Sequence, residues 1–188
     1  MLRKILAICL MSVTTLAAAD TLDIGLSNTT AQFKYGVPSS IAGKSEIYAE
    51  LMYNNANSVM GGVGLLVAND EVKAPGLTIG LGAKAVAATI KGTPNRDNTS
   101  ALALGVQVRY ELPVERRVAF AGEFYYAPEI ITFGDAKQYQ QFGARAEFSI
   151  SPQMQVYAGY RKTSFTLKVS GNDVALINGP HIGMQLSF

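Results

Sequence analysis

Nine side chains set the chemical question. Glu50, Lys84, Arg109, Glu111, Glu123, Arg145, Glu147, Arg161 and the sole histidine, His181, each fall on the polar side of a stretch in which apolar and polar residues alternate. Guanidinium and carboxylate groups brought together make forked, charge-assisted hydrogen bonds. Four acids against four bases suit a self-paired network better than a selective ion path, which needs one sign in excess. Glu123 lies on a segment flanked by those carrying Arg109 and Arg145, so an Arg-Glu-Arg pairing centred on Glu123 is expected. His181 could transfer a proton or hold a ligand. It has no second histidine beside it, and the one cysteine, Cys9, lies near the start of the chain, so a transition-metal site lacks ligands. Asp97, Asp135 and Asp173 read as loop residues, and no GxGxxG or P-loop motif is present. No catalytic residue, metal site or cofactor is therefore assigned, and an enzyme is not expected.

These side chains must be held by strands. Leu77, Ile79, Leu81 and Ala83 alternate with Thr78, Gly80, Gly82 and Lys84. Leu102, Leu104, Val106 and Val108 alternate with Ala103, Gly105, Gln107 and Arg109, and the same period runs through Val118–Tyr126 and Gln141–Ile150. Period two marks strands with one apolar and one polar or small face. Segments of about ten residues suit tilted strands crossing a bilayer.

Leu112–Glu115 and Ser151–Gln153 read as tight turns, whereas Lys91–Thr99, Glu129–Ala136 and Lys168–Val174 read as longer polar loops. Short turns at one end and long loops at the other are the signature of an outer-membrane barrel, the short ones facing the periplasm. Eight long segments fall at 45–54, 59–69, 76–90, 100–112, 117–127, 137–150, 154–166 and 177–188. Residues 21–36 remain, and Ser27-Asn28-Thr29-Thr30 is a plausible turn within them. Single-chain bacterial barrels have even strand counts. Splitting this stretch into Thr21–Ser27 and Ala31–Gly36 predicts a ten-stranded, antiparallel, up-and-down transmembrane β-barrel; eight strands, with 21–36 outside the wall, is the alternative.

The first nineteen residues read as a cleaved secretory signal: Arg3 and Lys4, an apolar run from Ile5 to Leu16, then Ala17-Ala18-Ala19. The barrel domain is then 20–188. The full chain has 16 Lys and Arg against 14 Asp and Glu, and loss of Arg3 and Lys4 leaves it neutral, which argues against nucleic acid as a partner. No later segment reaches the ~20 uninterrupted apolar residues of a membrane-spanning helix.

A soluble β-sandwich or lipocalin would hide its apolar face inside. Here the opposite face carries the charges named above, and an interior so charged is costly unless wet or paired. Turned inside out, apolar residues meet lipid and charges line a lumen. Gly62, Gly64, Gly80, Gly82, Gly105, Gly143, Gly159 and Gly183 share that lumen face, leaving room for long side chains to fold across. Tyr125 and Tyr157 face inward as filler. Tyr110, Tyr126, Phe148, Tyr160 and Phe188 read as an interfacial girdle.

The last eight residues, HIGMQLSF, resemble a barrel-assembly signal, with Gly183, Leu186 and Phe188 at its key positions and Leu186 where an aromatic is frequent. Three stretches resemble the YfaZ family of small outer-membrane proteins: Ala121–Pro128 (AGEFYYAP), Gly143-Ala144-Arg145 through Ala158–Arg161 (GAR…AGYR), and Asn178–Gly183 (NGPHIG). The resemblance is best over residues 100–188 and implies fold and outer-membrane location; it carries no catalytic residues. The expected function is a monomeric outer-membrane barrel with a charge-paired, closed lumen and a structural or surface-interaction role, the alternative being a narrow, weakly selective passive channel. The expected partners are outer-membrane lipid and the barrel-assembly machinery during biogenesis.

Overall fold

The computed structural model describes residues 20–69, 74–91, 96–168 and 173–188. The signal segment lies outside the described residues. Strands β1 (Thr21–Ser27), β2 (Thr30–Ser39), β3 (Ser45–Asn54), β4 (Ser58–Asn69), β5 (Leu77–Lys91) and β6 (Arg96–Glu111) are followed by β7 (Val118–Ala127), β8 (Thr132–Gly134), β9 (Ala136–Ser151), β10 (Met154–Leu167) and β11 (Asp173–Ser187). Each pairs antiparallel with its neighbours. β1 pairs with β11, and β5 with β6, so the sheet closes on itself. Closure removes the unpaired edge that hydrocarbon would penalise.

The barrel has ten staves, because β7 and β8 are two pieces of one. Pro128 has no N–H to give the ladder, and the chain makes a short 3₁₀ turn at Glu129–Ile131 before β8 rejoins β6 opposite Thr99–Ala101. The Thr132 hydroxyl donates to the Pro128 carbonyl at 2.9 Å across the break. Gly134 then turns the chain at φ +76°, where an added Cβ would lie 2.2 Å from the Asn98 carbonyl oxygen. The first stretch is indeed two strands, β1 and β2, joined at Asn28-Thr29, with the Ser27 hydroxyl accepting from the Thr30 amide.

The expected asymmetry of loops is corrected. Residues 96–99 are strand, paired with Ala88–Lys91, and the segments 129–136 and 168–174 are likewise partly strand. A connection as long, 112–117, lies at the opposite end, which also carries the start of β1 and the finish of β11. We call that the near end. At the far end the wall presents polar residues outward, among them Thr89, Gln140 and Asn178, and this made strand look like loop.

The inside changes along the axis as well. Below, toward the near end, it is polar and charged. In the far third it is packed with apolar side chains: Met52, Met60 and Ile90 from one side meet Tyr139, Phe165 and Leu176 from the other, all buried. The Tyr139 and Phe165 rings stand 4.9 Å apart. A β-bulge tightens this region. Thr163 pairs with Ile177 and Ser164 with Ala175, leaving Leu176 as an extra residue, so Leu176 and Ile177 both turn inward. The far end is therefore apolar inside, while its outer wall mixes polar residues with exposed Tyr53, Val59 and Phe133.

Candidate functional site: the charged lumen

Below the apolar packing lies a polar cavity of about 250 Å³. Glu50, Lys84, Arg109, Glu123, Arg145, Glu147, Arg161 and His181 line it, and Glu111 joins through Arg109. The wall places them by simple alternation, since side chains two apart on a strand share a face.

The roof is a chain of contacts. Lys84 Nζ donates to Glu50 Oε1 at 2.8 Å and to Gln141 Oε1 at 2.7 Å. Gln141 Nε2 donates to Glu123 Oε1 at 2.8 Å, and the Tyr139 hydroxyl donates to Gln141 Oε1 at 2.6 Å. Lys84 Nζ also lies 4.6 Å from the Tyr125 ring centre, which suits a cation on an aromatic face. Arg161 Nε approaches Glu123 Oε1 at 3.1 Å, without the angle of a hydrogen bond.

The expected Arg-Glu-Arg pairing exists, but its centre is Glu147 and not Glu123. Arg109 Nε reaches Glu147 Oε2 at 2.8 Å and Arg145 Nε reaches Glu147 Oε1 at 2.8 Å. The reason is register. Arg109 and Arg145 both sit opposite Ala121, two residues nearer the near end than Glu123, and Glu147 sits opposite Ala119. Arg145 Nη1 also meets Asp23 Oδ2 at 3.0 Å, and the Tyr157 hydroxyl donates to Asp23 Oδ1 at 2.5 Å.

Glycines make these contacts possible. Tyr48 lies over Gly64, where an added Cβ would come within 2.5 Å of the ring. Tyr125 lies over Gly105 and Gly82 in the same way, and Tyr157 over Gly183. Gly143 sits opposite both Glu123 and Arg161, so the strand between them offers no side chain to keep them apart.

Asp23, Lys34, Glu46, Tyr48 and Gln141 also face the lumen. They went unassigned in the sequence, although Leu22, Ile24 and Leu26 alternate around Asp23 and the signal was present. The apolar far third was legible too: Val86, Ala88 and Ile90 follow Lys84 on the same face.

Outside, Leu81, Leu102, Leu104, Phe120 and Phe142 are exposed around the wall. The five girdle residues, Tyr110, Tyr126, Phe148, Tyr160 and Phe188, are exposed with them. Among the described residues no helix is long and apolar enough to cross a membrane, so crossing falls to the strands.

A family model described as YfaZ precursor matches residues 2–188. The chain belongs to the YfaZ family. It is 29% identical over 124 residues to the outer membrane protein YfaZ of Escherichia coli (strain K12), an alignment covering 63% of this chain and 67% of that relative. Among solved structures, the KdgM porin in complex with disordered oligogalacturonate is 8% identical over 90% of this chain and 99% of its own, with a TM-score of 0.49. The KdgM porin alone is 9% identical over the same shares, with a TM-score of 0.45. As a YfaZ-family barrel with an apolar outer wall, the chain is an integral outer-membrane protein. The three stretches that resemble the family carry Glu123, Arg145, Arg161 and His181, four of the residues grouped around the cavity.

Proposed function

We propose that this YfaZ-family protein is a closed outer-membrane barrel with a structural or surface-interaction role, its near end in the periplasm and its far end projecting outward. The observation that carries this reading is the apolar packing of the far third, where Met52, Met60, Ile90, Tyr139, Phe165 and Leu176 fill the interior. Close-packed side chains leave no water path, and moving an ion through such packing carries a large desolvation cost. The polar contacts beneath it brace the wall. Arg-carboxylate pairs across several strands rigidify a narrow barrel and do not select an ion.

One observation favours the second reading, a narrow and weakly selective passive channel. A charged cavity of about 250 Å³ reaches the middle of the barrel, and displacement of the far-end packing would extend it. Recording from refolded protein in a planar bilayer separates the two. The closed reading expects no steady openings, and expects them to emerge on combining Tyr139→Ala, Phe165→Ala and Leu176→Ala. Reproducible openings from the unaltered protein would overturn it.

No enzymatic role is proposed. Among the described residues neither ring nitrogen of His181 has a hydrogen-bond partner, so none of their hydroxyls stands ready beside it as a nucleophile. We assign Gly183, Leu186 and Phe188 to recognition by the barrel-assembly machinery. Deleting Phe188 should lower the amount of protein inserted in cells while leaving refolding into detergent intact; unchanged insertion would remove the assignment.

A further inference from the structure

We propose that Arg161 and His181 form a binding site for a small oxyanion inside the lumen cavity. Both are deeply buried, at 7% and 4% exposure. Neither makes a hydrogen bond among the described residues. His181 Nδ1 and Nε2 and Arg161 Nε are all buried without a partner. The one polar contact of Arg161 is the 3.1 Å charge contact with Glu123, whose Oε1 already accepts from Gln141. Folded proteins rarely leave a buried guanidinium and a buried imidazole both unsatisfied. Here both ring nitrogens of His181 and the Nε of Arg161 are left without a hydrogen bond on one face of adjacent strands, and Arg161 is held only by its charge contact with Glu123.

The strands bring the two groups together. Across the β10–β11 ladder His181 pairs with Gly159, and across β9–β10 Gly159 pairs with Arg145. Arg161 lies two residues along β10 from Gly159, on the same face. Gly159 has no side chain, and Arg145 packs over it, since a Cβ there would lie 2.6 Å from Arg145 Cβ; His181, Arg161 and Arg145 all line the cavity. His181 is turned edge-on to Tyr157, with ring centres 5.6 Å apart, which holds its plane against the cavity wall. Gln32, Gln155 and Gln185 line the same cavity and add neutral polar groups.

Of the unfilled atoms, Arg161 Nε is a donor, and a neutral imidazole has one donor and one acceptor nitrogen. A guanidinium presents N–H groups in a fixed fork and accepts nothing, and an imidazole adds a further N–H. The occupant must therefore offer several acceptor oxygens on one centre, as phosphate and carboxylate groups do. A cation would have to compete with existing partners, since Glu147 and Asp23 are shared among Arg109, Arg145 and Tyr157, and Glu123 is held by Arg161 and Gln141. The available volume admits a small oxyanion with a few waters, or the anionic end of a slightly larger solute. That the ligand arrives from the periplasmic side rests on the closed reading above; the site itself does not.

Selective ¹⁵N-histidine labelling gives one imidazole, because His181 is the only histidine. Untagged protein, refolded in detergent and shown to be folded by its circular dichroism, is titrated with sodium phosphate against sodium chloride at matched ionic strength. A saturable shift of the His181 ring resonances with phosphate, weakened about tenfold in Arg161→Lys, is the expected result, since that variant keeps the charge facing Glu123 and loses the fork. A sodium acetate series separates the sources. A matching shift with acetate assigns the site to carboxylate-bearing solutes too, and a shift with phosphate alone restricts it to phosphate. Absence of a saturable shift with either anion, or an equal shift with chloride, would overturn the site. Failure of the closed reading is read independently, from conductance.

Discussion

Lys84 and Glu50 meet at 2.8 Å although their strands are not neighbours. β4 runs between them, and the contact passes over Gly62 and Gly64. A Cβ on Gly62 would lie 3.2 Å from Glu50 Oε1, and one on Gly64 would lie 2.9 Å from Lys84 Cβ. The pair is almost fully buried, with side-chain exposures of 1% and 4%. The strand between them stays thin so that an ion pair can close over it.

That burial makes the pair sensitive to single changes. Lys84→Ala leaves Glu50 charged and unmatched, an effect of roughly 3–5 kcal/mol where a buried pair loses one partner. The double variant Lys84→Ala, Glu50→Ala is expected to recover a substantial part of it. Urea unfolding in detergent, followed by circular dichroism, checks this; a double variant no more stable than Lys84→Ala would show that the pair does not act as a unit.

Gly64→Ala forces a methyl against the Tyr48 ring. Overpacking of this kind costs about 1–3 kcal/mol. Because the nearest atoms belong to the Tyr48 side chain, Tyr48→Leu in the same protein should relieve the strain. A lowered midpoint of unfolding in Gly64→Ala, with partial recovery in the double variant, is the expected pattern.

Phe165→Ala empties the far-end packing beside Tyr139. A buried Phe→Ala change costs about 3–5 kcal/mol. Hydrogen exchange should rise first in β10 and β11 near the bulge at Thr163–Ser164, and least around Glu147. Uniform loss of protection along both strands would contradict a separate far-end core.

The position of the bilayer can be read on one strand. Leu81 and Thr89 both face outward on β5, Leu81 at 68% exposure among apolar neighbours and Thr89 hydrogen-bonded to Asn98 beyond them. A lysine at mid-bilayer costs about 2–4 kcal/mol, falling to about 0–1 near the interface. Leu81→Lys should therefore impair folding into vesicles far more than Thr89→Lys. Equal effects would place both residues at one depth.

Strand geometry sends alternate side chains to opposite faces whatever the partner strand is doing. Period two in the sequence therefore decided the inside and outside of the staves, except at the bulge where Leu176 and Ile177 both turn inward. It separated Glu50, Lys84 and Arg145 from Leu81, Leu104 and Phe142, and made a barrel the one fold that could carry charges inward and leave apolar residues outward. Parity then separated β1 from β2. What alternation cannot encode is the slip of one strand along the next. Arg109 and Arg145 were expected on Glu123 and meet Glu147, because their depth depends on the register of three paired strands and on closure of the whole ring. Closure also carries strands through residues 96–99, whose polar outward side chains read locally as loop. Which charges pair, where apolar side chains fill the far third, and why Arg161 and His181 are left facing the same space are properties of the closed sheet, since each depends on residues brought level by hydrogen bonding between strands far apart in the chain.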